Sequence, residues 1–227
     1  MKKNLIIFGN GKIADVVYYY AKNECNYNVV AFTTDREYIK EGSFNGLPVV
    51  SFDELEGLYK PEDYDMFVAI GYQDLNRLRE RKYNEAKSKG YKLVNIISPN
   101  ANLPENVKIG DNCFIMPPSL IHPNVEIGNN TFVWSGAMIG HHSVIGNHCW
   151  FTSSCNISGV VKTGSNCFFA VNATVGHAVV IGNDCFIGAN ALITKSIGDK
   201  KVVIEESTKE FRLNSDQFLR FSNFSNL

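Results

Sequence analysis

The sequence predicts two structural units in series: a small parallel α/β sheet over residues 1–96 and a triangular parallel β-helix over 97–198, followed by a tail over 199–227. Three observations carry that expectation. Every sixth residue from Ile97 to Ile193 is apolar except Thr163, sixteen of seventeen positions, while every sixth residue from Cys113 to Ala191 is Cys, Ser, Thr, Ala or Val. Gly110, Gly128, Gly146, Gly164 and Gly182 recur every 18 residues, so three hexads close one turn. Before residue 97 the pattern changes to short apolar runs alternating with helical stretches, the signature of a parallel α/β sheet.

In the first unit, Leu5–Phe8 reads as a strand, and Gly9-Asn10-Gly11-Lys12-Ile13-Ala14 as the turn that feeds a helix. Small residues let the backbone approach a phosphate, and a helix N-terminus offers unpaired N–H groups and positive potential. Strands follow in "YNVVAFTTD", ending at Asp35, in Asp65–Gly71, and in "YKLVNII", with helices over 52–58 and 74–89. Asp35 stands about where a dinucleotide fold places its ribose-binding acid. Some ninety residues make only half of such a fold, so this Rossmann-like half domain fits a mononucleotide handle better. A tight strand-to-helix turn with no ligand stays open beside it.

A period of six fits no α-helix. Short strands joined by sharp corners bring one aliphatic and one small residue per hexad to the interior, stacked on their copies about 4.8 Å away. Glycine and asparagine then take the corners that need positive φ. Residues 97–196 make between five and six coils, roughly 26 Å tall at that spacing. The six cysteines are read as small interior residues rather than disulfides: Cys113, Cys149, Cys167 and Cys185 differ by 36, 18 and 18 residues, and Cys155 falls on the same six-residue grid. No CxxC pair suggests a structural zinc.

Composition narrows the partners. Lysine and arginine (22) nearly cancel aspartate and glutamate (23), which argues against nucleic acid, and no apolar run approaches a membrane span. The "MKKNLIIFGNG" start is too short in its apolar part for a signal peptide, so a cytoplasmic protein is expected.

His141 falls two places after interior Ile139, at an outward corner. One coil later the same phase is Gly159, and one more gives His177, so two histidines flank a glycine on one edge, about 10 Å apart by coil spacing. A reaction that removes a proton needs a base, and an imidazole with an ordinary pKa near 6.5 suits that task. His142 reads equally as an orienting group or a catalytic one. His122, His148 and His177 read as solvated corners, Trp134, Trp150, Phe168 and Phe169 as stacked packing between coils or subunits, and the tail aromatics as packing on the coil or a neighbour.

The repeat resembles the hexapeptide-repeat acyltransferases, whose coil is left-handed and which are usually trimers. The glycine turn, "VAIGYQDLNRLRERKY" and "IISPNANLPENVKIGDNCFI" leading into the coil resemble more narrowly the NeuD sialic acid O-acetyltransferases and the PglD-type N-acetyltransferases. That resemblance, over residues 3 to about 196, implies an acetyl-CoA-dependent N-acetyltransferase acting on a UDP-, dTDP- or GDP-linked amino-dideoxy sugar for cell-surface glycan biosynthesis. It implies a homotrimer with no metal. It assigns the nucleotide sugar to Gly9, Asn10, Gly11, Lys12, Asp35 and Gly71, catalysis to His141 and His142, and coenzyme contacts to Gly159, His177, Ala189 and Lys195.

Two departures accompany the resemblance. The family's base is followed by glutamate, but His142 stands there, and no Asp or Glu occurs between 127 and 183. A second histidine of the family, near the coenzyme, aligns with Trp150, and the usual closing Gly-x-Pro-Ala-Lys stretch is missing. Three other readings compete: sugar O-acetylation, an interfacial-zinc hydratase using His141 and His177, and a noncatalytic nucleotide-sugar scaffold.

Overall fold

The computed structural model describes residues 3–222. The chain opens with β1 (Lys3–Phe8), α1 (Lys12–Asn23), β2 (Tyr27–Thr34), β3 (Ser43–Phe44), β4 (Leu47–Ser51), α2 (Leu55–Leu58), β5 (Asp65–Val68), α3 (Arg77–Ser88) and β6 (Lys92–Leu93). These six strands form one sheet in the order β3-β4-β2-β1-β5-β6, parallel except for the β3–β4 pair. The apolar run of β1 is continuous because both faces of the strand are covered. Leu5 and Ile7 pack with Ala14, Val17 and Ala21 of α1, whereas Ile6 and Phe8 join Tyr83 and Ala86 of α3.

Two differences from the expected elements concern this sheet. The β3–β4 hairpin, passed over in the sequence reading, turns at Asn45 (φ +52) and Gly46 (φ +74), the Asn-Gly pair that a two-residue hairpin favours. The expected strand over "YKLVNII" is two strands. Lys92–Leu93 pairs with β5, and Ile96–Ile97 pairs with Phe114–Ile115 as the first rung of the coil. The crossing is pinned by Asn95, whose Nδ2 donates to Gly110 O at 2.7 Å while its Oδ1 accepts from Cys113 N at 2.8 Å.

The second unit is a triangular prism of parallel rungs. An aromatic face stacks Ile96–Ile97, Phe114–Ile115, Phe132–Val133, Trp150–Phe151, Phe168–Phe169, Phe186–Ile187 and Val202–Val203. A second face runs from Leu120–Ile121 to Leu192–Ile193, and a third from Lys108–Ile109 to Val180–Ile181. Inside, the Phe151 and Phe169 rings stack 4.5 Å apart and 7° from parallel, the coil rise seen directly. The stacked cysteines are free thiols that donate to corner carbonyls one coil on, as Cys149 Sγ does to Gly164 O at 3.3 Å. Burial pushes the Cys155 thiol up to about 11. The coil continues past the expected boundary at 198, because Val202–Val203 still pairs with Phe186–Ile187. That rung falls 16 residues after its partner rather than 18, which hides it from a strict period.

The α/β unit lies on the aromatic face. Phe114, Phe132, Trp150 and Phe168 share one apolar cluster with Leu5, Phe32 and Phe67, and Tyr20 meets Phe114 edge-on at 5.7 Å. Each such ring taken out of water contributes on the order of 2 kcal/mol. Packing between the two units of one chain, rather than between subunits, is therefore the use of Trp150 and Phe168. The last described element is α4 (Ser215–Ser222), whose Phe218 meets Phe211 edge-on at 5.9 Å with both rings still exposed. No helix of the described residues is long and apolar enough to cross a membrane.

Candidate active site

At the carboxyl ends of β1, β2 and β5 the chain leaves a cleft of about 520 Å³. Its lining includes all six residues assigned from sequence to the nucleotide sugar: Gly9, Asn10, Gly11, Lys12, Asp35 and Gly71. Gly9 has φ +124, and a Cβ there would lie 2.8 Å from Ala69 O, so both conformation and space require glycine. Lys82, passed over in the sequence, enters from α3 and donates to Asp35 Oδ1 and Glu85 Oε2, each at 2.7 Å. Burial works against the ammonium charge, but these two bonds outweigh it and hold its pKa above the usual value. Asp35 is thus half of an ion pair and not a free acid. The three-residue interval from Lys82 to Glu85, one helical turn, was the available sign.

His141 stands on the corner between the second and third faces, and Gly159, His177 and Lys195 follow it on the same edge at 18-residue intervals. Ala189 lies elsewhere, on the corner between the aromatic and second faces, because its distance from His141 is not a whole number of turns. The His141 ring is exposed and rises over Gly159, where a Cβ would lie 2.6 Å from Nε2. Its centroid comes within 6.3 Å of that of His177, not the expected 10 Å or so, because the ring leans across the bare glycine. The notch is thus occupied by the imidazole itself. A Gly159→Ala variant should displace that ring and lower turnover by up to about a hundredfold while leaving nucleotide-sugar affinity unchanged. Steady-state thiol release together with titration calorimetry checks both halves.

His142 occupies the left-handed corner at φ +59 and brings its Nδ1 to 3.1 Å from His141 Nδ1. Its Nε2 lies 3.2 Å from Asn124 Nδ2, a residue the sequence reading did not single out although it sits 18 places earlier. The expectation for His148 is overturned. It is only 8% exposed, covered by α3, with Nδ1 2.9 Å from Asn130 Nδ2 and Nε2 3.6 Å from Glu80 Oε1. Burial lowers its pKa. Trp150, aligned with a coenzyme-side histidine, is 2% exposed and stacks on Phe132. Of the other corner histidines, His177 is exposed and His122 half-buried. Among the described residues no group of three His, Cys, Asp or Glu side chains converges as metal ligands would.

Comparison with known proteins places these features in context. The family model of the PglD N-terminal domain matches residues 4–86, and that of the bacterial transferase hexapeptide (six repeats) matches 161–195. The acetyltransferase domain of PglB from Neisseria gonorrhoeae is similar at 25% identity over 92% of this chain and 100% of that one, with a TM-score of 0.81. PerB from Caulobacter crescentus, solved with CoA and GDP-perosamine, is 26% identical over 89% of this chain and 94% of that one, with a TM-score of 0.68. WeeI from Acinetobacter baumannii, at 20% identity over 90% and 97% of the two chains, shares the fold with a TM-score of 0.76. A comparison with curated protein sequences gives no match. The coil is accordingly a left-handed β-helix.

Proposed function

The chain belongs to the NeuD/PglD-type sugar acyltransferases, and from that premise we infer that it transfers an acetyl group from acetyl-CoA to the amino group of a nucleotide-linked amino sugar. The observation that carries the mechanism is the exposed His141 imidazole, held at Nδ1 by His142 with Nε2 over Gly159. The amine nitrogen attacks the thioester carbonyl, His141 Nε2 takes the amine's proton, and collapse of the tetrahedral intermediate expels the coenzyme thiolate, which receives that proton. Corner N–H groups would stabilise the oxyanion. The nucleotide diphosphate would lie on Gly9 to Lys12 at the start of α1, with ribose hydroxyls sharing Asp35 with Lys82 and the sugar directed outward past Gly71. The coenzyme arm would follow the edge of Gly159, His177 and Lys195, with Ala189 reachable only from another corner.

The same reading takes the active unit as a homotrimer. The α/β unit rests on the aromatic face, and His141 stands on the corner opposite that face, so the cleft and the imidazole of one chain lie on different sides of the prism. A threefold assembly would bring the cleft of one chain toward the His141 edge of the next and so make a shared site. The test is incubation with acetyl-CoA and a panel of nucleotide-linked amino sugars and their hydroxyl analogues, following thiol release. Release with an amino sugar alone is expected. Release only with a hydroxyl analogue would make the enzyme an O-acetyltransferase, and release with neither would overturn the reading.

A further inference from the structure

Among the described residues, only the segment between β5 and α3 holds three consecutive residues in the left-handed region: Asp74 (φ +49), Leu75 (φ +50) and Asn76 (φ +68). Asparagine and aspartate tolerate that region, but leucine is disfavoured there by its Cβ. A strained turn persists only where its surroundings fix it. Here they do. Asn76 Nδ2 donates to Cys167 O at 3.3 Å, its Oδ1 accepts from Arg79 Nη1 at 3.1 Å, and Arg77 Nη2 donates to Asp184 Oδ1 at 2.8 Å. Leu75 packs against the apolar cluster shared by the two units, so the far side of the turn is tied to the coil.

The near side of the turn is Gly71-Tyr72-Gln73, at the cleft. Gln73 lines the cleft and folds back over Gly71, where a Cβ would lie 2.9 Å from Gln73 Oε1 and 3.6 Å from its Nε2. The bare glycine is therefore what lets the carboxamide lie there. Gln73 is exposed, and its carboxamide makes no hydrogen bond to any described residue. Other long polar side chains of the cleft differ. Asn10 Nδ2 donates to Tyr38 O at 3.0 Å, and Lys82 is held by Asp35 and Glu85. Lys12 stands at the start of α1, where the diphosphate is placed.

A carboxamide offers a donor and an acceptor side by side. A phosphate only accepts and would use the nitrogen alone, whereas a hydroxyl both donates and accepts and so matches the pair. We propose that Gln73 is a specificity-determining residue whose carboxamide pairs with a hydroxyl group on the hexose of the nucleotide sugar. The proposal rests on the reading of this cleft as the nucleotide-sugar site and deepens it. The glycine turn and Asp35 hold the nucleoside diphosphate, and Gln73 reads the sugar that leaves past Gly71. Because the strained turn is braced against the coil, the backbone that carries the carboxamide is set before the ligand arrives, which lowers the cost of ordering it.

The test is titration calorimetry on the full chain with UDP, dTDP and GDP, each against the same nucleotide carrying an amino-dideoxy sugar, GDP-perosamine in the case of GDP. In Gln73→Ala, affinity for the nucleotide sugar that the wild type binds should fall about five- to tenfold, the worth of one neutral hydrogen bond, while affinity for the matching nucleoside diphosphate stays within about twofold. Gln73→Met keeps the length of the side chain without the polar pair, so it should lose about as much. Unchanged sugar affinity in either variant overturns the proposal, as does an equal loss with the nucleoside diphosphate. If the wild type binds none of the three nucleotide sugars, the reading of the cleft fails and the proposal with it. The readout is binding alone, so it does not depend on His141 or on transfer.

Discussion

The His141→Ala variant should lose about a hundredfold or more in kcat while binding the nucleotide sugar as tightly as the wild type. The split follows from where the residue stands. Its ring is exposed and contacts His142 and His177 at the edge of the prism, whereas the cleft proposed for the nucleotide sugar is built from β1, β2, β5 and α3 on the far side of the aromatic face. Removing the imidazole therefore leaves the core and the cleft intact and takes away the proposed proton acceptor alone. Thiol-release kinetics with calorimetric binding to the same sugar separate the two effects. Turnover equal to the wild type would exclude His141 from the reaction.

The largest stability effect should come from Arg79. Its residue is 0% exposed, and the guanidinium packs between the two units, 4.6 Å from the Phe132 ring centroid and 5.1 Å from that of Trp150. Nη1 donates to Gly71 O at 3.0 Å and Asn76 Oδ1 at 3.1 Å, and Nη2 donates to Asn130 O at 3.3 Å, His148 O at 3.1 Å and Cys149 O at 3.3 Å. Burial pushes its pKa down to about 9, which still leaves it charged at neutral pH. An apolar replacement often compensates for a lost buried charge when the partner is removed as well. Here four of the five acceptors are backbone carbonyls that no side-chain substitution deletes, so Arg79→Met strands those of Gly71, Asn130 and His148, while Cys149 O keeps its bond from Phe132 N at 3.0 Å. We expect a loss of about 3 kcal/mol or more, measured by denaturant unfolding. Arg79→Lys should recover only part of it, because an ammonium cannot span both groups of acceptors as a planar fork does. Gly71 lines the cleft proposed for the nucleotide sugar, so sugar affinity should fall along with stability.

The coil was legible because its period is a property of the chain alone. Each interior position from Ile115 to Ile193 except Thr163 recurs in a buried cluster, and a one-residue slip would have turned those side chains outward. The same arithmetic placed His141, Gly159 and His177 on one edge. It failed where the period changed, since Val202–Val203 returns after a shortened turn; Ala189, implied by the resemblance and not by the period, belongs to a different corner. His148 was misread for another reason. Its phase is that of an outward corner, and nothing in the repeat says that α3 lies over it.

In the first unit, the glycine turn and Asp35 were visible as local spacing, but Lys82 was not, since it reaches the cleft only because α3 packs beside β5. The contact of Asn124 with His142 was likewise recoverable in principle from the 18-residue spacing.

The sequence by itself therefore determined the rung, the turn and the corner residues, because short-range sterics and alternation of burial act along the chain at fixed intervals. Tertiary structure alone decided what the aromatic face covers, how Arg79 joins the two units, and that His141 leans across Gly159 to approach His177. Those outcomes depend on side chains distant in sequence competing for the same space and the same hydrogen-bond acceptors, and no periodicity encodes that competition.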